Sequence, residues 1–158
     1  MKFNDLIQLL EQDESIFQPR KVEDRQNRYE QQIYRKIQDY IKNGSKGNLN
    51  LSRTPIQTLP DGLKVGGNLN LNRTPIKSLP DGLRVSGNLD LAGTQIKTLP
   101  DGLRVGRNLD LSHTPIQTLP DGLKVSGDLW LLKTPIAKQY DRQQLKQMYP
   151  GVKGHINI

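Results

Sequence analysis

The sequence contains no cysteine, and its only histidines are His113 and His155. The lack of cysteine excludes disulfide bonds, thiolate metal sites and a cysteine nucleophile. Two isolated histidines argue against a histidine-based metal site. We therefore expect neither a metal nor a cofactor.

Long apolar runs are also missing. The N-terminal stretch carries acids at Asp5 and Glu11, where a secretory signal would be basic and then apolar. No segment approaches the roughly 20 apolar residues that a membrane-spanning helix needs. We expect a protein of the reducing cytosol, bacterial or host, without a membrane partner.

Glutamate is absent from the second part of the chain. Residues 1–43 hold eight Lys or Arg and eight Asp or Glu, whereas residues 44–158 hold fifteen Lys or Arg, eight Asp and no Glu. The formal net charge of +7 therefore lies entirely in residues 44–158. This excess makes an acidic macromolecule a more natural partner than a basic one.

The central feature is a repeat that runs from Gly47 to Ile136. One 20-residue unit begins at Gly47 and returns at Gly67, Gly87, Arg107 and, in part, Gly127. A strict period of this length is typical of a solenoid, in which each unit packs only on its neighbours. The Leu-x-Leu step indicates a short strand, and the Thr-Pro and Leu-Pro-Asp-Gly steps indicate turns. Apolar positions are fixed; in the second unit they are Leu69, Leu71, Ile76, Leu79, Leu83 and Val85.

The string Leu69-x-Leu71-x-x-Thr74-x-Ile76-x-x-Leu79-Pro80 resembles the leucine-rich repeat pattern. The short unit and its Leu-Pro step are similar to the LPX-type repeats of bacterial effectors, which begin with a helical hairpin, and to arrays in bacteriophage proteins. The resemblance implies an α/β repeat solenoid of parallel strands that binds another protein on its strand face, as an effector or a phage-type inhibitor.

The chain departs from that pattern in two ways. Leu-Pro-Asp-Gly-Leu replaces a double Leu-Pro, and threonine replaces the family's asparagine ladder. We expect each threonine hydroxyl to bond the backbone of the neighbouring unit. Some of these effectors carry a ubiquitin-ligase domain with a catalytic cysteine. This chain has neither the length nor the cysteine, so we expect no enzymatic activity.

Residues 1–46 are predicted to form a helical N-terminal cap, followed by repeats over 47–136. One helix would use an apolar face that starts at Phe3, residues 13–19 would break it, and a second would run from about Lys21 to Asn43 and end at Gly44. Ser45 stands where later units have a core valine, so a docked helix would complete the first unit. The second helix would face inward through Tyr29, Ile33, Ile37 and Ile41. The alternative is a helix that binds a partner or a second copy, because Tyr34 and Tyr40 lie outside this single apolar stripe.

Residues 137–158 are predicted to close the solenoid. A helix over 141–148 would bury Leu145, Met148 and Tyr149 and stop at Pro150. The segment 152–158 matches 65–71 position by position, which predicts a sixth strand.

Side chains between the buried leucines should point out of the strand face. One position gives Asn50, Asn70, Asp90, Asp110, Trp130 and Asn157; the position two residues later gives Ser52, Asn72, Ala92, Ser112 and Leu132; the position two residues earlier gives Asn48, Asn68, Asn88, Asn108, Asp128 and His155. Most are small and polar, as on a solvated structural face. The predicted partner-binding residues are Trp130, Leu132, Asp90, Asp110, Asn70, Asn50 and His113.

Three of these predictions have alternatives. Trp130 and Leu132 are either a binding hot spot or covered by the C-terminal segment or a second copy. Asp90 and Asp110 should lie about 5 Å apart. That separation suits acid–base chemistry or a divalent cation, but a flat open face favours a basic group on a partner. His113 is a surface variant and not a ligand.

A basic edge provides the alternative function, which is nucleic-acid binding. It comprises Lys64, Arg84, Arg104 and Lys124, together with Arg53, Arg73 and Lys133. Stacked cations suit a phosphate backbone. However, Asp61, Asp81, Asp101 and Asp121 should partly neutralise the first set, and no aromatic platform accompanies it. A solvated edge that prevents aggregation is the plainer interpretation.

Overall fold

The computed structural model describes the backbone of residues 23–158 and the side chains of residues 28–158. The predicted first helix and the break at residues 13–19 lie outside the described residues. The helices are α1 (Glu23–Lys42), α2 (Pro135–Gln139) and α3 (Arg142–Met148). The strands are β1 (Leu49–Asn50), β2 (Lys64–Val65), β3 (Leu69–Asn70), β4 (Arg84–Val85), β5 (Leu89–Asp90), β6 (Arg104–Val105), β7 (Leu109–Asp110), β8 (Lys124–Val125), β9 (Leu129–Trp130) and β10 (Ile156–Asn157).

The described chain winds into a solenoid with two parallel sheets. One sheet has six strands in the order β1-β3-β5-β7-β9-β10, and the other has four in the order β2-β4-β6-β8. Each turn of the solenoid, here called a rung, adds one strand to the six-stranded sheet, and each of the first four rungs also adds one strand to the four-stranded sheet. Equivalent repeat positions pair directly, as Leu69 pairs with Leu89. The predicted fold class is confirmed.

The second sheet was missed from the sequence. Its strands are a basic residue followed by valine, with the basic side chain exposed and the valine buried. This two-residue alternation was visible in the sequence, but it is too short to separate a strand from a turn.

A single aliphatic core fills the space between the sheets. The leucine, isoleucine and valine positions of the repeat are at most 7% exposed. Each such side chain contributes roughly 1.5–3 kcal/mol when fully buried. Since the same positions recur on every rung, the core also fixes the register between rungs.

Helix α1 packs onto the first rung. Ile33 and Ile37 are buried in the same core as the rung leucines, whereas Tyr29 and Ile41 are exposed. The prediction that all four face inward was wrong at both ends. Residues four apart rotate by about 40° per step around a helix, so a stripe of four drifts off the contact face.

Polar contacts attach the end of α1 to the first rung. The Tyr40 hydroxyl lies 2.7 Å from the Ser45 carbonyl oxygen and 2.9 Å from that of Gly47, and it accepts from the Gly66 N–H at 3.1 Å. Gly44 follows the helix with a φ of 77°. This left-handed conformation, which glycine adopts without strain, confirms the predicted helix stop.

The threonines do not form the expected ladder between rungs. Each hydroxyl donates to a carbonyl of its own rung, as Thr74 does to Leu71 at 2.8 Å. The bond closes a turn of four residues, 71–74, and satisfies a hydroxyl that is buried. The short threonine side chain reaches its own turn before it can reach the next rung.

Asparagines form the ladder at another position. The Asn48 Oδ1 accepts from the Asn68 N–H at 2.8 Å, and Asn68 accepts in the same way from Asn88. The ladder continues through Asn108 and Asp128 to the His155 N–H. It also explains the glycine that opens most units, because a Cβ at Gly87 would collide with Asn68 Oδ1 and the Gly67 backbone.

The C-terminal end adds two short helices and a sixth rung. Helix α2 was not predicted. Helix α3 begins at a capping box, in which Asp141 and Gln144 satisfy each other's backbone N–H groups. Leu145 and Tyr149 are buried as predicted, but Met148 is exposed. Strand β10 pairs with β9, which confirms the sixth strand.

Candidate functional site

The six-stranded sheet presents a continuous set of outward side chains. Here a column means the side chains at one repeat position on successive rungs. The middle column runs Asn50, Asn70, Asp90, Asp110, Trp130 and Asn157, and each member pairs directly with the next. Neighbouring strands are about 4.8 Å apart, so the column is a line of closely spaced groups.

Most of the middle column also shapes its own backbone. The Asp90 Oδ1 accepts from the Ala92 N–H at 3.0 Å, and the Asp110 Oδ1 accepts from the Ser112 N–H at 2.8 Å. Asn50 and Asn70 make the same bond. The asparagines therefore have a structural role that suffices to explain them.

Trp130 and Leu132 interrupt this polar pattern. They are 38% and 40% exposed, and they belong to neighbouring columns of the rung that contains β9. Among the described residues, the C-terminal segment does not cover them. A large apolar pair on a face of small polar side chains forms an exposed patch, which we call the Trp130 patch.

Asp90 and Asp110 are half-buried and lie on adjacent strands. Burial raises the pKa of Asp90 above its ordinary value, and the negative charge of Asp110 raises it further. Hydrogen bonds from the Ala92 backbone and the Asn72 side chain oppose this shift. Like charges at this spacing make the pair a natural receptor for a cation.

A metal centre has no support in this arrangement. Within the described part of the chain, no three His, Cys, Asp or Glu side chains come together as metal ligands. The pair of carboxylates lies on an open sheet with no third ligand. His113 is exposed and has a φ of 60°, which places it at the edge of the face.

The basic edge divides into two separate columns. Lys64, Arg84, Arg104 and Lys124 pair in register on the four-stranded sheet, and all are exposed. Arg53, Arg73 and Lys133 lie just after the other sheet in the left-handed conformation, which His113 and Gly93 also adopt. The two columns thus occupy different parts of the rung.

Asp61, Asp81, Asp101 and Asp121 do not pair with the first basic column. Among residues 28–158, the His155 Nδ1 lies 3.5 Å from the Asp128 Oδ1, and no lysine or arginine nitrogen lies within 4.0 Å of the carboxylates of Asp61, Asp81, Asp101 or Asp121. The expected neutralisation is therefore limited to longer-range effects. The column of Lys64, Arg84, Arg104 and Lys124 presents four cations that have no ion-pair partner among the residues whose side chains the structure describes.

Other features of the described chain offer less. A groove of about 260 Å³ lies between α1 and the first rung, lined by residues that include Ile33 and Ile56. No described helix combines the length and the apolarity that crossing a bilayer demands.

The candidate surfaces stand on geometry, without support from relatives. The chain matches no protein-family model, and comparison with curated proteins and with solved structures gives no significant match.

Proposed function

We propose that the protein is a non-catalytic binding module that recognises another protein through the face of its six-stranded sheet. The observation that carries this proposal is the exposure of Trp130 and Leu132 on neighbouring columns of that face. Tryptophan is enriched among the residues that dominate binding energies at protein interfaces. Around the patch, small polar side chains leave room for close approach.

Stability alone does not account for the Trp130 patch. Asparagine or aspartate at this position bonds the backbone two residues later, and tryptophan gives up that bond. An indole this exposed leaves apolar area in water, which costs roughly 25 cal/mol for each Å². A partner that covers the patch would recover that free energy.

The resemblance to LPX-type repeats adds a role to this surface. We propose that the protein acts in a bacterial or host cytosol as an effector or phage-type inhibitor that blocks a macromolecular partner. A rigid solenoid suits this role because its face is pre-organised, which lowers the entropic cost of binding.

An affinity pull-down from a bacterial extract tests the proposal. The double variant Trp130→Ala/Leu132→Ser is compared with wild type, and extracts are used with and without nuclease. Met148→Ala is the matched control, because Met148 is an exposed apolar residue that belongs to α3 and not to a strand of the six-stranded sheet. We expect wild type and Met148→Ala to capture the same protein, and nuclease treatment not to release it. The affinity of the double variant for that protein should be lower by at least about 30-fold.

Nucleic-acid binding is the second candidate. It is favoured by the exposed column of Lys64, Arg84, Arg104 and Lys124, for which the described part of the chain provides no ion-pair partner. It predicts that Arg84→Glu/Arg104→Glu abolishes binding, that Trp130→Ala does not, and that affinity falls steeply with salt. Recovery of nuclease-sensitive material alone would favour this function over the protein-binding one.

A further inference from the structure

The Trp130 patch and the acidic pair are neighbours on one line. Strands β5, β7 and β9 place Asp90, Asp110 and Trp130 at successive positions of the middle column. The face thus combines two negative charges and an apolar surface within three rungs. It is the acidic exception on a chain whose formal net charge is +7.

The acidic pair lacks a counter-charge in the folded chain. Within the described residues, no lysine or arginine nitrogen lies within 4.0 Å of either carboxylate. Each carboxylate uses one oxygen to accept from its own backbone, and Asp90 also accepts from the Asn72 side chain. An ionised carboxylate accepts further hydrogen bonds, so each retains capacity for a donor from a partner.

A backbone donor beside the patch lacks an acceptor. On the other rungs the N–H two residues after the middle column donates to the middle-column side chain, as Ala92 does to Asp90. Tryptophan offers no acceptor oxygen. The Leu132 N–H consequently has no acceptor among the described residues, and it is available to a carbonyl group of a partner.

The spacing of these groups matches an extended peptide. The midpoint between Asp90 and Asp110 lies one and a half strand spacings from Trp130, or about 7 Å along the column. Alternate side chains of an extended chain point the same way and are about 6.7 Å apart. A peptide that crosses the strands would therefore present two such side chains to the pair and the patch together.

We propose that the partner contributes an extended segment that contains a lysine or arginine and an apolar residue two positions away from it, on either side. The basic side chain lies between Asp90 and Asp110, the apolar side chain packs on Trp130 and Leu132, and a peptide carbonyl accepts from the Leu132 N–H. This inference rests on the protein-binding function proposed above and specifies the chemistry of its partner.

Trp130 is the only tryptophan of the chain, so its fluorescence reports binding at the patch directly. The probe is the blocked peptide Ser-Arg-Ser-Leu-Ser, titrated at low salt. Ser-Glu-Ser-Leu-Ser reverses the charge, and Ser-Arg-Leu-Ser-Ser has the same composition with the two side chains on opposite faces. We expect the first peptide to bind about tenfold more tightly than either control, which corresponds to one favourable charge contact or one apolar contact.

Two variants assign the effect to the proposed contacts. Asp90→Asn/Asp110→Asn should reduce the preference for the arginine peptide over the glutamate peptide to within about twofold. Asp101→Asn/Asp121→Asn, which removes the same charge from exposed turns, should leave it unchanged. Equal binding of all three peptides, no detectable binding, or a preference that survives Asp90→Asn/Asp110→Asn would overturn the inference.

The two proposals fail in distinguishable ways. A captured protein that depends on Trp130 but not on Asp90 and Asp110 would retain the protein-binding function and refute the basic segment. Unchanged capture of the protein by the variant Trp130→Ala/Leu132→Ser would refute the proposed function, which is protein binding through the strand face.

Discussion

Neutralising the acidic pair should stabilise the protein. The perturbation is Asp90→Asn, Asp110→Asn and the double variant at neutral pH. Asparagine retains the Oδ1 that accepts from Ala92 or Ser112, so the turn is preserved while the charge is removed. Asn50 and Asn70 already make this bond in the same column.

The magnitude follows from the register. Two unit charges about 4.8 Å apart repel by about 0.9 kcal/mol in bulk water and about 3.5 kcal/mol at an effective dielectric constant of about 20. Both carboxylates are only half-buried, and screening places the repulsion near the lower value. Either single substitution removes the whole repulsion, so we expect each to raise the free energy of unfolding by about 0.5–1 kcal/mol. The second substitution has no repulsion left to remove, so the double-mutant cycle should show a coupling of about 1 kcal/mol.

The pH dependence has a defined sign. Because the pKa of Asp90 is raised in the folded state, that state binds the proton more tightly than the unfolded chain. The penalty from Asp90 is absent below its ordinary pKa of 3.8 and appears as the pH rises through the higher folded value. The advantage of Asp90→Asn over wild type should therefore grow on going from acid to neutral pH.

Urea unfolding followed by circular dichroism measures these differences. Repeating the cycle in about 1 M salt should shrink the coupling, because the Debye length falls to about 3 Å. A destabilising Asp110→Asn, or a coupling that is zero at low salt, would refute the reasoning about the pair.

Three further predictions concern stability and are measured by the same unfolding assay. Asn68→Ala should lower the free energy of unfolding by about 1–2 kcal/mol, because it leaves the Asn88 N–H without its acceptor in the asparagine ladder. Asn68→Asp retains an acceptor oxygen and should lower it less. Equal losses from the two substitutions would refute a stabilising role for the ladder. Tyr40→Phe should lower the free energy of unfolding by about 1 kcal/mol, because its hydroxyl bonds the Ser45 and Gly47 carbonyl oxygens; unchanged stability would exclude the hydroxyl as an anchor of the cap. Gly93→Val should cost about 1–2 kcal/mol because Gly93 has a φ of 70°, whereas Gly93→Asn should be tolerated; a harmless valine would refute the backbone argument.

Much of the fold was predictable because the repeat is strict. A constant period fixes which side chains stack, so the register of Asp90 with Asp110 followed from counting alone. The sixth strand was found in the same way, since residues 152–158 copy 65–71. These features depend on periodicity, which the sequence displays directly.

The misses have local geometric causes. The two-residue strands at Lys64 and its equivalents are too short for a periodicity signal. The threonine hydroxyls bond their own rung, and only the three-dimensional reach of the side chain decides this. Met148 was assigned inward by helical spacing, but α3 is too short to bury more than a narrow stripe.

The candidate site was only partly predictable. The sequence indicated Trp130, Asp90 and Asp110 as exceptions in their columns. It did not indicate the unpaired Leu132 N–H. That feature is visible only in the structure, where the equivalent N–H on other rungs donates to the Asn or Asp that Trp130 replaces. The structure also separates the basic columns, which the sequence treated as one edge.

Site-specific photo-crosslinking tests the central claim most directly. A benzoylphenylalanine is placed at one of three positions, and crosslinking is carried out in a bacterial extract. At Leu132 it reports contacts of the strand face, and at Arg104 contacts of the basic column. At Gln117 it reports contacts of an exposed segment between β7 and β8. We expect a discrete protein adduct from position 132 that is absent from positions 104 and 117. An adduct formed from position 104 alone would show that the partner binds the basic column and would refute binding through the strand face.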